Sequence, residues 1–260
     1  MNGKQLKNSI LQWAIQGKLV PQDPNDEPAS VLLERIRAEK ARLVKEKKIK
    51  KDKNESIIYR GEDNSYYEKF LATREVKCID EEIPFEIPAT WEWCRLLSIV
   101  SLLGDGIHGT PEYSEGGSVY FINGNNLFDG QILIKPDTKT VSKEEAVKHS
   151  RLLNESTVLV SINGTIGNIA FYSGENVILG KSACYFNLLN GIERKYIKIV
   201  LQTDYFLEYT KRVATGSTIK NVPLSGMRNV LIPIPPKDEQ QVIIDKLSSL
   251  KLLIEKFNIE

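Results

Sequence analysis

The sequence predicts an α+β fold, a mostly-β central domain flanked by long helices with coiled-coil rhythm. Three observations predict it. Short β-branched runs separated by glycine-rich turns fill the middle of the chain, from about Trp91 to Ile234. Helical periodicity occupies both ends. The two regimes meet at Pro235-Pro236, which ends any strand and cannot continue one.

The closing stretch, VLIPIPPKDEQQVIIDKLSSLKLLIEKF, sets the pattern. Asp238 with Gln241 three residues on forms a capping-box signature for a helix start. Ile243, Leu247, Leu250, Ile254 and Phe257 then follow at spacings of 4, 3, 4 and 3, the a/d rhythm of a coiled-coil seam. A helix packed on its own domain would show the same spacing. The seam is expected to seek a partner.

At the other end, Lys4–Gln16 predicts a compact helix in which Leu6, Ile10 and Trp13 repeat the 4, 3 spacing, with Gly17 placed to stop it. Pro21, Pro24 and Pro28 bar regular structure. A second helix over SVLLERIRAEKARLVKEKKIKK follows, its apolar positions thinning as lysines accumulate. Asn54–Glu82 is polar and tyrosine-containing and reads as a linker. Strands are expected at 118–122, 131–134, 157–162, 169–172, 177–179 and 183–186. A short helix is expected at 143–149, and a helix broken near Asp204 at 193–212.

Composition narrows the function classes. The 260 residues are 41% apolar, enough for a full core, and carry a net charge of only +1. Glu34–Lys53 holds ten basic and four acidic residues, a local +6 suited to a solvated helix face or to a phosphate or protein contact. Within the central domain, Trp91–Gly180 nets −4 and Lys181–Pro235 nets +5, and a basic half rich in Thr, Ser and Asn suits a DNA face. Cys78, Cys94 and Cys184 are odd in number and widely spaced, as in a reducing cytosol. No apolar run approaches membrane-spanning length and the N-terminus has no signal-peptide core, so a soluble cytoplasmic protein with no membrane partner is expected.

Catalytic patterns are weak. GENVILGKS (174–182) has five residues between its glycines and a strand after it, where a phosphate loop needs four and a helix. Asp137 and Glu193 are the pair from which a metal-dependent nuclease would be built, but such pairs are frequent by chance. His108 and His149 are too few and too far from the cysteines for a zinc site. The expectation is no catalytic residue, no metal and no cofactor.

Four polar, glycine-bearing segments remain: GDGIHGTPEY (104–113), INGNN (122–126), SINGTIGN (161–168) and ATGSTIKNV (214–222). Their side chains are of the kinds that bond base edges and phosphates, and glycine lets backbone approach closely. The same residues also dominate ordinary turns. The candidate DNA-binding residues are His108, Thr110, Asn123, Asn125, Asn126, Thr165, Lys181, Thr215, Ser217, Thr218, Lys220 and Asn221.

These segments, with LKNSILQWAIQGKLVPQDPNDEPASVLLERI and IPIPPKDEQQVIIDKL, resemble the specificity (S) subunit of type I restriction–modification enzymes over nearly the whole chain. The resemblance implies a mostly-β target recognition domain at 91–236 and flanking long helices that form a coiled-coil spacer. A helical subunit-docking region is implied at 1–53, a linker at 54–90 and the spacer helix at 237–260. It implies a non-catalytic subunit that reads half of a bipartite target in double-stranded DNA and docks methyltransferase (M) and restriction (R) subunits. Relatives usually carry two recognition domains and this chain carries one, so it is expected to pair with itself or with a second half-subunit, or to be a fragment. The seam for pairing would be Leu6, Ile10, Trp13, Ile243, Leu247, Leu250, Ile254 and Phe257. A protein-binding scaffold without DNA recognition is the remaining alternative.

Overall fold

A computed structural model describes residues 2–257, with side chains as far as Lys251. Helix α1 (Gly3–Ile15) starts at Asn2, whose side chain accepts from the Gln5 amide while the Gln5 side chain accepts from the Asn2 amide, both at 2.9 Å. Two orphan donors are satisfied reciprocally. The helix stops before Gly17, at φ +67°. Helix α2 (Ala29–Lys45) follows the prolines, and its first amide donates to the Thr90 carbonyl.

Strands β1 (Ser56–Arg60), β2 (Tyr66–Phe70) and β3 (Val76–Cys78) come next. They are followed by β4 (Glu92–Arg95), β5 (Val100–Asp105), β6 (Val119–Ile122), β7 (Leu127–Phe128), β8 (Gln131–Ile132) and β9 (Thr140–Val141). Helix α3 (Lys143–Lys148) leads into β10 (Thr157–Ser161), β11 (Ile169–Phe171), β12 (Val177–Leu179) and β13 (Ala183–Leu188). The chain closes with α4 (Arg194–Leu201), α5 (Asp204–Val213), α6 (Leu224–Asn229), β14 (Leu231–Ile234) and α7 (Lys237–Phe257).

These elements divide into two compact units. The first comprises the chain up to Ile99, Leu189–Phe206 and the chain from Asn229; the second comprises Val100–Leu188 and Leu207–Arg228. Residues 91–99, 189–206 and 229–236, assigned from sequence to the central domain, thus belong to the first unit.

In the first unit β1, β2 and β3 form one antiparallel sheet, and β14 pairs with β4. The stretch expected to be a linker is therefore largely a sheet. Its apolar side chains are sparse, but Ile58 and Tyr66 reach a core with Ile79, Trp93 and Leu231, bordered by Phe85 and Tyr205. Beside this core lies a buried ion cluster. Arg95 Nη2 donates to Glu68 Oε2 at 2.6 Å and to Glu82 Oε2 at 2.8 Å, and Nη1 donates to the Asn229 carbonyl. Arg95 and Glu68 are 9% and 4% exposed, and Glu68 Oε1 also accepts from the Ser56 hydroxyl, so Arg95 is the cation that compensates the buried Glu68 charge.

One member of the basic run is internal. Lys40 on α2 is buried, donating from Nζ to the Leu97 carbonyl at 2.6 Å with Glu55 at 3.7 Å, and burial pushes its ammonium down from the ordinary lysine range. Lys45, Lys47, Lys48, Lys50, Lys51 and Lys53 remain exposed.

Helices α1, α4 and α7 pack together, and this decides part of the expected seam. Ile10 and Ile243 are buried by their own chain, Leu6, Leu247 and Leu250 are half-buried, and Trp13 is 49% exposed. The side chains of Ile254 and Phe257 lie outside the described residues. The apolar rhythm is thus taken up within the chain at the start of α7, and Leu247 and Leu250 further along are half-covered. The expected cap differs too: α7 begins at Lys237, so Asp238 lies in its first turn and Gln241 Nε2 donates to Asp245 Oδ1 instead.

Glu239 and Gln240 of the same motif are structural. Trp91 Nε1 donates to Glu239 Oε2 at 2.9 Å, and Gln22 Nε2 donates to Glu239 Oε1 at 2.6 Å. The fully buried Gln240 accepts from the Glu193 amide and donates to the Gly191 carbonyl. Burial raises the Glu239 carboxyl above the ordinary glutamate range.

The second unit is built on a four-stranded antiparallel sheet in the order β11-β10-β13-β5, with a smaller β12-β6-β9 sheet and the β7–β8 hairpin. Strands β10 and β13 are buried at every position, which is why TVLVS and ACYFNL read as continuous runs and not as alternation. Ile122, Leu127, Leu159, Leu179, Ala183 and Tyr185 form the core between them.

Replacing Arg95 by Met strands Glu68 as a buried unpaired carboxylate. The expected loss of stability is about 3–5 kcal/mol in urea unfolding. A loss below about 1 kcal/mol would show that the cluster is not what holds the β1–β3 sheet in place.

Candidate nucleic-acid interface

Residues 179–182, from the end of β12 to the start of β13, bond to three of the four polar segments. Ile107, in the first, donates its amide to the Leu179 carbonyl at 2.8 Å and forms a parallel bridge with Gly180. In the second, the Gly124 amide donates to Ser182 Oγ at 2.8 Å, and that hydroxyl donates to Asn123 Oδ1 at 3.0 Å. In the third, the Ile162 amide donates to the Ser182 carbonyl at 3.0 Å. Gly180 permits this approach, since a Cβ there would lie 2.2 Å from Asn123 Oδ1.

The fourth segment is tied to the third. Val222 donates its amide to the Ile162 carbonyl at 2.8 Å, and Asn163 Nδ2 donates to Asn221 Oδ1 at 3.3 Å. Thr215 and Asn221 exchange backbone hydrogen bonds at 2.9 Å each, closing residues 216–220 into a hairpin loop. The four segments are therefore one hydrogen-bonded assembly.

Its outward residues are His108, Thr110, Asn125, Thr165, Lys181, Thr215, Ser217, Thr218 and Lys220, all exposed. Asn123 and Asn221 are half-buried, with their side-chain oxygens engaged as above. Asn126 departs from the expectation. It is 5% exposed, its amide nitrogen donates to the Leu133 carbonyl and to Thr138 Oγ1, and its oxygen accepts from the Asn123 amide. It braces the turn from inside and has no polar group left for a ligand.

The bracing residues carry no signature in the sequence. Ser182 is one. Glu145 is another: its carboxylate accepts from Lys148 at 2.7 Å and from the Glu112 amide at 3.0 Å, so the lysine and the amide hold it down to about 2 and fix the outer end of the first segment. Asp105, at the end of β5, accepts from His108 Nε2 at 2.8 Å.

Charge does not mark this unit. Its residues 100–188 and 207–228 include ten Lys/Arg and ten Asp/Glu, a net of zero. The basic segment noted in the sequence is divided, with Arg194, Lys195 and Lys198 in the first unit. The assembly therefore offers a few placed cations among donors and acceptors. Asp137 is exposed on the Lys135–Thr138 turn, and among the described residues no group of three His, Cys, Asp or Glu could hold a metal ion.

The family described as the type I restriction modification DNA specificity domain matches residues 88–260. The chain belongs to that family. Among relatives, it is 32% identical to the type I restriction enzyme EcoAI specificity subunit of Escherichia coli, over 94% of this chain and 39% of the relative. It is also 32% identical to the EcoEI specificity subunit of Escherichia coli, over 97% and 40% respectively. The chain thus spans about two fifths of the length of these family members. A chain from a solved type I R-M system, described for its complex assembly and conformational transition, superposes at TM-score 0.51 with 20% identity, over 67% of this chain and 41% of that one, a likeness of fold.

Proposed function

We propose that the chain is a sequence-specific DNA recognition subunit, or part of one, of a type I restriction–modification complex. It is non-catalytic, reads half of a bipartite target and works with M and R subunits that carry out the chemistry. The observation that carries this reading is the single assembly made by four loops around Gly180-Lys181-Ser182. Reading base edges needs donors and acceptors held in fixed relation, which separate flexible turns cannot supply. Lys181 and Lys220 are the exposed cations suited to phosphate, and Thr165, Ser217, Thr218 and Asn125 suit base edges. Three free cysteines, with burial pushing the Cys94 and Cys184 thiols upward, agree with a reducing cytoplasmic setting. No described helix is long and apolar enough to cross a membrane.

Binding to a randomised duplex pool tests the reading. Replacing Lys220 by Ala is expected to weaken binding for all sequences and to reduce the salt slope by about one. Replacing Thr218 by Ala is expected to cost about 1–3 kcal/mol at one base position if it meets a base edge. Unaltered binding by the doubly substituted chain would remove this loop from the interface.

The helices supply the second part of the proposal. Half-covered Leu247 and Leu250 on α7 and exposed Trp13 on α1 leave apolar surface that suits a coiled-coil spacer contact with a second copy or a second half-subunit. Pairing two copies about a two-fold axis would give a gapped site with inverted halves. Leu250→Glu is expected to give monomers in sedimentation that keep weak half-site binding. A monomeric unaltered chain at high micromolar concentration would rule out self-pairing.

A further inference from the structure

We infer that His108 reads an exocyclic amino group of a base, adenine N6 or cytosine N4, by accepting a hydrogen bond at Nδ1. The inference rests on the DNA-recognition reading above and goes beyond it by assigning the chemical class of one contact. His108 Nε2 lies 2.8 Å from Asp105 Oδ2. Asp105 is not on a free loop: it ends β5, faces Cys184 of β13 in register, and its carbonyl accepts from Arg151 Nε at 3.1 Å. The next anchored point is Ile107, whose amide is bonded to Leu179. The imidazole is therefore oriented from a strand end although its side chain is 63% exposed.

The chemistry follows from that orientation. An ionised carboxylate only accepts, so in the neutral ring the hydrogen sits on Nε2 and the lone pair is left at Nδ1. No described side chain or backbone group bonds to Nδ1. In the major groove adenine and cytosine present amino donors, whereas guanine O6 and thymine O4 are acceptors. A fixed acceptor favours the first pair and is repelled by the second. Asp105 acts as a positioning residue, because without it the ring can place its hydrogen on Nδ1 and turn the acceptor into a donor.

The test is selection from a randomised duplex pool with the unaltered chain, His108→Ala and Asp105→Ala. His108→Ala is expected to lose the unaltered chain's preference at one base pair, with the other positions unchanged. Asp105→Ala is expected to relax the preference at that same pair. Removing the amino group from the preferred base, as in purine for adenine, should cost the unaltered chain about five- to a hundred-fold in affinity and His108→Ala little. If His108→Ala leaves every base preference intact, or lowers only the salt slope, or if removing the amino group at the affected base pair costs the unaltered chain nothing, the inference is wrong. Failure of the unaltered chain to bind any duplex would overturn the recognition reading itself.

Discussion

Three residues connect β12 to β13, and the outward surface of the second unit depends on the bonds they make. The Ser182 hydroxyl is both donor and acceptor for the Asn123–Gly124 turn, its carbonyl holds Ile162, and Gly180 lets Asn123 approach to a distance that no side chain would allow. Each bond is ordinary, on the order of 1 kcal/mol in net stability. Their effect is geometric. Loops that would otherwise move independently are tied into one surface, and ties of this kind lower the entropy lost on binding a ligand.

The first unit uses buried polar groups in a comparable way. The Arg95–Glu68–Glu82 cluster and the Glu239–Trp91–Gln22 network join segments far apart in sequence. Burying charge is costly unless every partner is present, and such clusters specify one arrangement more than they add stability. The Glu-Gln pair after the double proline illustrates this. Gln240 fastens α7 to the Gly191–Glu193 turn, so the start of α7 is fixed to its own unit while Leu247 and Leu250 further along remain half-covered.

Strands β6, β8 and β10 to β13 of the second unit could be placed from sequence, because most are apolar runs bounded by Gly, Asn and Ser, whereas β5 and the order of strands in the sheet could not. The break between α4 and α5 was legible at Gln202-Thr203-Asp204. The β1–β3 sheet was not. SIIYR, YYEKF and VKC carry few core residues, and what draws them in is Glu68 meeting Arg95 across 27 positions. Within the site, Asn123, Asn125 and Asn126 look alike on paper; only the fold shows that Asn125 faces outward while Asn126 is used internally. The a/d rhythm of α7 marks a helix, yet periodicity does not say which surface covers Ile243, and here it is the chain itself. Lys40 makes the same point for charge: it belongs to a basic run and is buried.

Binding of duplex DNA by the four segments as one surface can be read by hydrogen–deuterium exchange with and without bound duplex. The backbone amides of residues 106–113, 123–126, 163–168 and 215–221 are expected to gain protection together on binding, since one hydrogen-bonded assembly carries them all. Protection of one segment alone, or protection confined to the first unit with these four unchanged, would contradict it.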